Sequence, residues 1–329
     1  MVVASILIVN FNAGGHLARC IDALRRQDSS NFEVLLLDNG SSDESWAAAI
    51  QAADGDPRFR FEAAGANLGF AAGNNRLAAK ARAPWLAFLN PDAIPAMDWL
   101  SKLLDATQRY PGVALFGSHQ LDATNPGILD GAGDRYFFNG QAWRGGYGWP
   151  ASTKLAEGEV FTACAAAALC RREAFAAAGG FDESFFCYVE DVDLGFRLRL
   201  RGETCVQVPA AVVHHVGSAT SGGPGSDFAR YHGTRNLIWC FIKNMPWPLF
   251  WPLLPLHVGL LVLLWLRLLR LGKGETMGRA LRDAWRGWPQ AWVSRRRIQA
   301  QRRASTWAIA RAITWNPREL FTRAPANRL

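Results

Sequence analysis

The sequence predicts an α/β fold in which helices flank a mixed, mainly parallel sheet. Short continuous apolar runs, such as residues 5–9 and 32–37, suit strands that are buried on both faces. Segments with helical spacing of their apolar residues follow these runs. The alternation of the two patterns is typical of strand–helix–strand units. With 329 residues, half of them hydrophobic, the chain can form one large domain or two smaller ones.

The predicted elements follow one another in a regular order. Strands are expected at residues 5–9, 32–37, 59–61 and 85–89, and a helix follows each of the first three. The pattern then predicts strands at 112–117 and 162–170, a helix at 172–178, a helix from residue 192, and strands at 204–208 and 209–213. The stretch 126–150 is rich in Gly, aromatic and polar residues and is expected to form loops and short hairpins.

Three of the early strands end in a polar side chain. Asn10, Asp38 and Asn90 each stand directly after an apolar run. Ligands of open α/β sheets bind beyond the carboxyl ends of the strands, so we expect these side chains to face one crevice. A turn explains any one of these residues, but it does not explain why all three strands finish in this way.

Residues 180–193, which we call the acidic segment, contain five carboxylates and four aromatic rings. Glu190 and Asp191 stand where helical spacing begins, and a helix start favours negative charge. A carboxylate held near aromatic groups is a candidate general base. The alternative is simple capping by Asp191 together with an Asp193–Arg197 pair at i, i+4.

Further polar residues follow the acidic segment. His214 and His215 end a predicted strand, and if side chains alternate along it, only one of the two can face the crevice. Arg235 and Asn236 lie near the start of the next helix, where a cation could hold a diphosphate. A solvated basic helix face is the alternative explanation for this pair.

The charge distribution and the absence of some motifs disfavour several classes of protein. Neither GxGxxG nor a Walker phosphate loop follows the first strand, which disfavours a dinucleotide dehydrogenase. Residues 267–303 carry eleven Lys and Arg against two Asp and Glu, a net +9, whereas the whole chain is +8. This placement argues against nucleic-acid binding and for an anionic surface near that region. The six Cys lack CxxC spacing and indicate thiols of a reducing compartment.

Several short motifs occur in a specific order over about residues 3–244. They are Ile8-Val9-Asn10-Phe11-Asn12, Leu37-Asp38-Asn39-Gly40-Ser41-Ser42-Asp43, Asn67-Leu68-Gly69-Phe70-Ala71-Ala72-Gly73-Asn74-Asn75, Leu89-Asn90-Pro91-Asp92-Ala93, Gly179-Gly180-Phe181-Asp182-Glu183, Glu190-Asp191-Val192-Asp193-Leu194 and His215-Val216-Gly217-Ser218. As an ordered set, they resemble the inverting family 2 glycosyltransferases with the GT-A fold, and among them the rhamnosyltransferase-like bacterial enzymes. Any one of these motifs alone is weak.

The resemblance implies a role for each matching residue. Asp38 would hold the base or ribose of a nucleotide-diphospho-sugar donor, with Phe11 packing nearby. Asp92 would bind the divalent metal, Mg²⁺ or Mn²⁺, and His215 rather than His214 would complete the metal or diphosphate site. Asp191 would be the catalytic base. The remaining positions implied are Asn12, Asn67, Gly69, Asn74 and Asn90 at the donor, Glu190 beside the base, and Arg235 and Asn236 at the diphosphate or acceptor.

Two departures from the family pattern concern the metal and the acceptor. Residues 90–92 are Asn-Pro-Asp rather than Asp-x-Asp, so only one carboxylate is offered to a metal. Ala165 stands where many relatives have Gly, which changes the space on the acceptor side. The stretch 126–150 is interpreted as part of the acceptor pocket or, alternatively, as a surface insertion.

The C-terminal quarter of the sequence predicts attachment to a membrane. Residues 249–271 are mostly apolar, and residues 273–303 repeat Arg near Trp285, Trp288 and Trp292. These patterns suit one helix that spans or lies in a bilayer and amphipathic helices on anionic lipid. An oligomer interface is the alternative. We therefore expect a glycosyltransferase domain at 1–244, membrane-associated helices at 245–303, and a tail at 304–329.

The resulting hypothesis is a transferase in cell-surface polysaccharide synthesis. It would act at the cytoplasmic face of the membrane, moving a sugar, with dTDP-rhamnose as the favoured donor, to a glycan or polyprenyl-diphosphate-linked acceptor. The alternatives are a non-catalytic nucleotide-sugar-binding scaffold at the membrane and a sugar nucleotidyltransferase. The oligomeric state is left open by the sequence.

Overall fold

The structure is a computed structural model that describes residues 2–217, 222–223 and 225–325. Ser218, the last residue of the histidine motif, lies outside the described residues. The strands are β1 (Ala4–Asn10), β2 (Phe32–Asp38), β3 (Phe59–Ala63), β4 (Trp85–Leu89), β5 (Ala93–Pro95), β6 (Leu115–Asp122), β7 (Leu129–Gly131), β8 (Asp134–Tyr136), β9 (Ala142–Arg144), β10 (Gly158–Val160), β11 (Ala167–Arg171) and β12 (Cys205–His215). The helices are α1 (Gly15–Arg25), α2 (Ser45–Ala53), α3 (Gly69–Ala78), α4 (Trp99–Arg109), α5 (Arg172–Ala177), α6 (Glu190–Leu200), α7 (Asp227–Asn244), α8 (Trp247–Arg270), α9 (Gly274–Arg286), α10 (Trp288–Ala300), α11 (Thr306–Ala312) and α12 (Glu319–Thr322).

One large mixed sheet organises the N-terminal two thirds of the chain. Its strand order is β10-β12-β6-β11-β4-β1-β2-β3. β3, β2, β1 and β4 run parallel to one another, and β12 runs parallel to β6. β11 is antiparallel to its neighbours β4 and β6, and β8 and β9 form a separate antiparallel hairpin. The sequence prediction of a mixed, mainly parallel sheet flanked by helices is confirmed.

The two faces of the sheet are covered by different helices. Successive residues of a strand point to opposite faces, so Ile6 and Ile8 of β1 enter a core with α1, α2 and α4. Leu7 and Val9 enter a second core with α3, α5 and α6. All seven residues of β1 are therefore buried, which explains why its sequence is a continuous apolar run.

Several predicted boundaries were wrong in detail. The strand expected at 162–170 begins only at Ala167, and the residues before it are irregular. The two strands expected at 204–208 and 209–213 are one strand, β12, whose pairing with β6 shifts register between Val208 and Val212. The strand expected at 112–117 extends from Leu115 to Asp122. Pro209 lies within that register shift, where a strand tolerates a missing N–H donor.

A third hydrophobic core joins the C-terminal helices to the sheet domain. It combines Phe196 of α6 and Phe241 of α7 with Phe250 of α8 and Ile309 of α11, all of them buried. Helix α7 also packs along α9 and α10. The core therefore contains residues from each of the segments 1–244, 245–303 and 304–329, whose division remains a sequence-based prediction.

Helix α8 differs from the other described helices in its exposed apolar surface. It is 24 residues long, has a mean hydropathy of 2.0 over its most apolar window, and only 17% of that window is buried within the protein. By length and composition it could cross a membrane. Its exposed apolar residues include Trp251, Leu256, Val262, Leu263, Leu266 and Leu269.

Candidate active site

A cavity of about 910 Å³ lies beyond the carboxyl ends of β1 and β4. Asp92, Asp191 and His215 all line it, although they are widely separated in sequence. The fourth residue expected there, Asp38, is buried and does not belong to the wall. It accepts a hydrogen bond from the Asn10 side chain at 3.1 Å, so it joins the end of β2 to the end of β1 next to the cavity.

The predicted donor residues divide into wall residues and supporting residues. Phe11, Asn67, Gly69 and Asn90 line the cavity. Asn39, which sequence reasoning missed as a site residue, also lines it and donates to Asn67 Oδ1 at 2.9 Å. Asn39 Oδ1 in turn accepts from the Leu68 N–H at 3.0 Å. Asn39 therefore fixes the loop between β3 and α3 that carries Asn67 into the cavity.

Asn12 and Asn74 stabilise local structure outside the cavity wall. Asn12 has a positive φ of 50°, and its side-chain oxygen accepts from the Ser42 N–H at 2.8 Å. This bond ties the loop after β1 to the loop after β2. Asn74 is buried in α3 and donates to the Phe70 carbonyl at 3.0 Å. These contacts give both residues a structural role.

Gly69 allows the acidic segment to approach the start of α3. Its φ is +82°, and a Cβ atom there would lie 2.7 Å from the Phe186 carbonyl oxygen. Glycine is the residue that tolerates both the backbone conformation and this approach. The motif Gly therefore brings the donor-side loop and the segment before Asp191 together.

His215 lies between two carboxylates at the base of the cavity. Its Nδ1 is 2.7 Å from Asp130 Oδ2, and its Nε2 is 3.3 Å from Asp92 Oδ1. Burial by itself would lower the pKa of His215, but the hydrogen bonds and charges of Asp130 and Asp92 outweigh it and raise the pKa to about 9. His214, its neighbour on β12, does not line the cavity.

The Asp92–His215 geometry fits a divalent cation. Two ligands at about 2.0–2.1 Å from one octahedral ion lie roughly 3 Å apart, close to the Nε2–Oδ1 distance observed. The bond from Nδ1 to Asp130 is the arrangement that orients a metal-binding histidine. No group of three or more His, Cys, Asp or Glu side chains in the described part of the chain is arranged to hold a metal.

Asp191 lies in the first turn of α6 with its carboxylate at the cavity. Its Oδ2 accepts from the Ala165 N–H at 3.1 Å, and its Oδ1 accepts from the Val192 N–H at 2.8 Å. The N-terminal capping residue of α6 is Val189, so the alternative of Asp191 as a simple cap is not observed. The Asp193–Arg197 pair of that alternative does form, at 2.7 Å.

Glu190 is buried beside Asp191 and also lines the cavity. Within the described chain its Oε2 has no hydrogen-bond partner. Burial, followed by the charge of Asp191, raises the pKa of Glu190 well above its ordinary value. Glu190 therefore retains its proton to higher pH than a solvated glutamate does.

The segment before Asp191 has an unusual backbone that α7 holds in place. Phe186, Tyr188 and Val189 have φ values of 65°, 67° and 69°, which non-glycine residues adopt at a cost of roughly 1–3 kcal/mol each. The Asn236 side chain lies 2.8–2.9 Å from the carbonyl oxygens of residues 185, 187 and 188. Asn236 therefore satisfies the carbonyl groups that this conformation turns inward.

Arg235 acts on the same segment. It donates to the carbonyl oxygens of Ser184 and Phe185, both at 3.1 Å, and its guanidinium lies 4.5 Å from the Trp239 ring centroid. Neither Arg235 nor Asn236 lines the cavity. These contacts support a role in fixing the acidic segment, and they do not place either side chain for binding a diphosphate.

The β8–β9 hairpin supplies charged residues that sequence reasoning missed. Asp134 and Arg144 line the cavity, and Arg144 Nη1 donates to Asp130 Oδ2 at 2.6 Å. Asp134 is buried, and its Oδ1 has no hydrogen-bond partner among the described residues. Burial, then the charge of Asp191, raises the pKa of Asp134 well above its ordinary value. The 126–150 stretch thus contributes residues to the cavity wall, and its assignment to the acceptor stays a prediction.

A mixed, mainly parallel sheet flanked by helices, with acids and a histidine around one cavity, is the architecture of the GT-A glycosyltransferases, enzymes that use nucleotide-sugars. Residues 5–178 match the family described as glycosyl transferase family 2. The chain belongs to this family. It is 32% identical over 277 residues, covering 76% of this chain and 89% of the relative, to the N-acetylglucosaminyl-diphospho-decaprenol L-rhamnosyltransferase of Mycobacterium tuberculosis. The chain is therefore a rhamnosyltransferase-like transferase. These comparisons do not support a non-catalytic scaffold or a sugar nucleotidyltransferase, the two alternatives that the sequence left open.

Solved structures show the same fold at low sequence identity. The mannosyltransferase PcManGT from Pyrobaculum calidifontis, in complex with GDP-Man and Mn²⁺, aligns with a TM-score of 0.56 at 16% identity, over 94% of this chain and 86% of that one. GalNAc-T7 with UDP, GalNAc and Mn²⁺ aligns with a TM-score of 0.60 at 15% identity, over 74% of this chain. This chain spans about half of GalNAc-T7, 48% of its length.

Proposed function

We propose that this chain is an inverting glycosyltransferase that transfers rhamnose from dTDP-rhamnose to a glycan or polyprenyl-diphosphate-linked acceptor in cell-surface polysaccharide synthesis. The observation that carries this proposal is the Asp191 carboxylate facing the same cavity as the Asp92–His215 pair. The name of the Mycobacterium tuberculosis relative, which specifies L-rhamnosyl transfer to an N-acetylglucosaminyl-diphospho lipid, supports the donor and the acceptor.

The donor nucleotide is assigned to the end of the cavity formed by β1, β2 and α3. Phe11, Asn39 and Asn67 line this end and offer an aromatic face and amide groups. Asp38 stabilises the end of β2 below them through its bonds to Asn10 and to the Ser41 N–H. The diphosphate would then lie near Asp92, because the cavity continues past Asn90 to that residue.

Mg²⁺ or Mn²⁺ is assigned to Asp92 and His215. When bound there, the cation would neutralise the charge that develops on the leaving diphosphate. Asp130 holds the His215 ring in orientation from the opposite side, and Arg144 neutralises Asp130. The Mn²⁺ named with GalNAc-T7 and PcManGT supports a divalent cation for this fold.

Asp191 is assigned as the general base of a single displacement. The acceptor hydroxyl oxygen attacks the anomeric carbon while the bond from that carbon to the diphosphate oxygen breaks. The hydroxyl proton passes to the Asp191 carboxylate, and the anomeric configuration inverts. Both Asp191 oxygens accept backbone N–H groups, so the carboxylate is oriented before the acceptor arrives.

The acceptor is assigned to the side of the cavity that faces the C-terminal helices. Phe228, Leu237 and Leu264 form an apolar wall there, and Leu264 belongs to α8. A polyprenyl chain that follows the exposed face of α8 would thus bring its diphosphate-linked sugar to Asp191. Together with the net +9 of residues 267–303, this arrangement supports peripheral or monotopic attachment to the cytoplasmic face of the membrane.

The test is turnover of dTDP-rhamnose with N-acetylglucosaminyl diphosphate on a short polyprenyl chain. Asp191→Asn is expected to lower kcat about 10²- to 10⁴-fold while donor affinity stays within twofold. Chelation should abolish turnover, and added Mn²⁺ or Mg²⁺ should restore it. The matched control is Asp54→Asn, because the Asp54 side chain is 76% exposed.

Three results would contradict parts of this assignment. Full turnover by Asp191→Asn would refute the assignment of Asp191 as the general base. Full turnover after chelation would refute the requirement for a divalent cation. Retention of the donor configuration in the product would refute the single displacement.

A further inference from the structure

The residues that follow α11 lie across the β8–β9 hairpin. We call residues 313–325 the C-terminal strap. The Phe138 N–H donates to the Thr314 carbonyl at 3.1 Å, and the Thr314 N–H donates to the Tyr136 carbonyl at 2.8 Å. Further along, the Gly146 N–H donates to the Arg323 carbonyl at 2.7 Å. The strap is thus joined to the hairpin by backbone hydrogen bonds at both ends.

Two tryptophan side chains in and near the hairpin also donate hydrogen bonds to the strap. The indole N–H of Trp143 donates to the Leu320 carbonyl at 3.0 Å. The indole N–H of Trp149 donates to the Thr322 carbonyl at 2.9 Å. Because an indole has one donor and no acceptor, the strap supplies the partner that each of these rings needs.

Two charged contacts complete the junction. Arg135 of β8 forms an ion pair with Glu319 and donates to the Pro325 carbonyl at 2.8 Å. The Arg323 guanidinium lies 4.5 Å from the Trp143 ring centroid and 5.2 Å from that of Tyr147. Arg323 has a φ of 48°, a conformation that disfavours residues other than glycine.

The hairpin needs this support because it is small. β8 and β9 have three residues each and form a two-stranded sheet, which is joined to the rest of the domain by a bridge between Asp134 and Thr162 on one side and to the strap on the other. An isolated two-stranded hairpin is at best marginally stable in water. Yet Asp134, Trp143 and Arg144 of this hairpin line the active-site cavity. No described residue of the strap lines the cavity, although Trp143 contacts both.

We propose that Glu319 and Arg323 are positioning residues, which act through the β8–β9 hairpin to hold the acceptor side of the cavity in its binding geometry. The proposal rests on the proposed function, and it extends the acceptor side of the cavity to the β8–β9 hairpin, which lines the same cavity. The strap is separate from the donor residues of β1, β2 and α3. Its loss should therefore affect acceptor binding and leave the donor site intact.

The experiment compares Arg323→Gly and Glu319→Gln with the full-length wild-type chain. Glycine tolerates a φ of 48°, so Arg323→Gly removes the ring contacts without adding backbone strain. The matched control is Arg318→Gly, since Arg318 is exposed and lies in the same segment. Hydrogen–deuterium exchange is followed over residues 134–149 and over 4–92. KM for the prenyl-diphospho-N-acetylglucosamine acceptor, kcat and dTDP-rhamnose affinity are measured in parallel.

Arg323→Gly is expected to speed exchange over 134–149 about three- to thirtyfold, the range that loss of a cation–π contact predicts. Acceptor KM should rise by a similar factor, while kcat at saturation, donor affinity and exchange over 4–92 stay within twofold. Arg323→Lys should recover most of the loss, because a lysine cation can also lie over the rings. Glu319→Gln should act in the same direction.

Two outcomes would overturn the proposal. Arg323→Gly could match Arg318→Gly in exchange, which would show that the strap does not hold the hairpin. Exchange could instead rise while acceptor KM is unchanged, which would show that the hairpin does not shape the acceptor side. If the wild-type chain does not turn over this substrate pair, the substrate assignment fails, and the exchange comparison still decides whether the strap holds the hairpin.

Discussion

The buried Lys243 and the half-buried Asp182 form an ion pair that holds the start of the acidic segment to α7. Lys243 Nζ also lies 2.9 Å from Asp193 Oδ1, so this one cation joins two carboxylates. Burial by itself would raise the pKa of Asp182, but the charge of Lys243 and hydrogen bonds from Lys243 and Ser184 lower it to about 2. The ordinary value is 3.8, so the ionised form is favoured by folding.

Asp182→Asn is expected to lower the free energy of unfolding by about 2 kcal/mol at pH 7, from the difference between those two pKa values. Because the folded-state pKa is the lower one, this contribution is present above about pH 4 and is lost as the pH falls towards 2. At pH 3 the difference between wild type and variant should be about 1 kcal/mol. Lys243 keeps Asp193 as a partner in the variant, so no isolated buried charge is created.

The assay is urea unfolding at pH 7, 5 and 3, with the exposed Asp54→Asn as control. A difference that is the same at all three pH values, or that grows towards acid, would refute the assignment of the stabilisation to the Asp182 charge. Lys243→Met should be more destabilising, by roughly 3–5 kcal/mol, because Asp182 and Asp193 would both lose a buried cation.

Two further variants test the groups around Asp191. Asn236→Ala removes the donor to the Cys187 and Tyr188 carbonyl oxygens, at a cost of about 1–3 kcal/mol each, and should lower kcat more than donor affinity. Asn236→Asp should be at least as damaging, since a carboxylate cannot donate, and better activity than Ala would contradict the donor role. Asp134→Asn should raise the melting temperature at pH 7 but not at pH 4 or below, because a carboxyl whose folded-state pKa is raised costs stability as the pH rises. An equal or lower melting temperature at pH 7 would show that Asp134 is ionised and stabilised in the folded protein.

The core of the fold and half of the cavity follow from local sequence patterns. Buried parallel strands require continuous apolar runs, so β1, β2 and β4 could be located from sequence. Their carboxyl ends must lie at one edge of the sheet, so Asn10, Asp38 and Asn90 could be predicted to lie near one another. The convergence of Asp92, Asp191 and His215 on the cavity required in addition the family resemblance.

The other half of the cavity has no periodic pattern to identify it. Asp134 and Arg144 of the wall, and Asp130 that supports His215, belong to strands of three residues, which are too short to show alternation. Arg235 and Asn236 were expected to bind a ligand, but in the structure they contact backbone carbonyl oxygens. Sequence alone does not separate the two cases, because a polar side chain on a helix face has the same pattern in both. The contacts of Asn236 depend on the positive φ values of the acidic segment, which turn its carbonyl groups towards α7 and which the sequence does not indicate.

The third hydrophobic core has a practical consequence for anyone who dissects this enzyme. Helix α7 packs against α6 and the acidic segment as well as against α9 and α10. Phe250 and Ile309 pack in the same core as Phe196 and Phe241. A chain shortened at residue 244 would leave large apolar surfaces in water and remove the backing of the helix that carries Asn236. Loss of turnover in such a fragment would therefore say nothing about lipid, and point substitutions on the outer faces of α8 to α10 are the informative route.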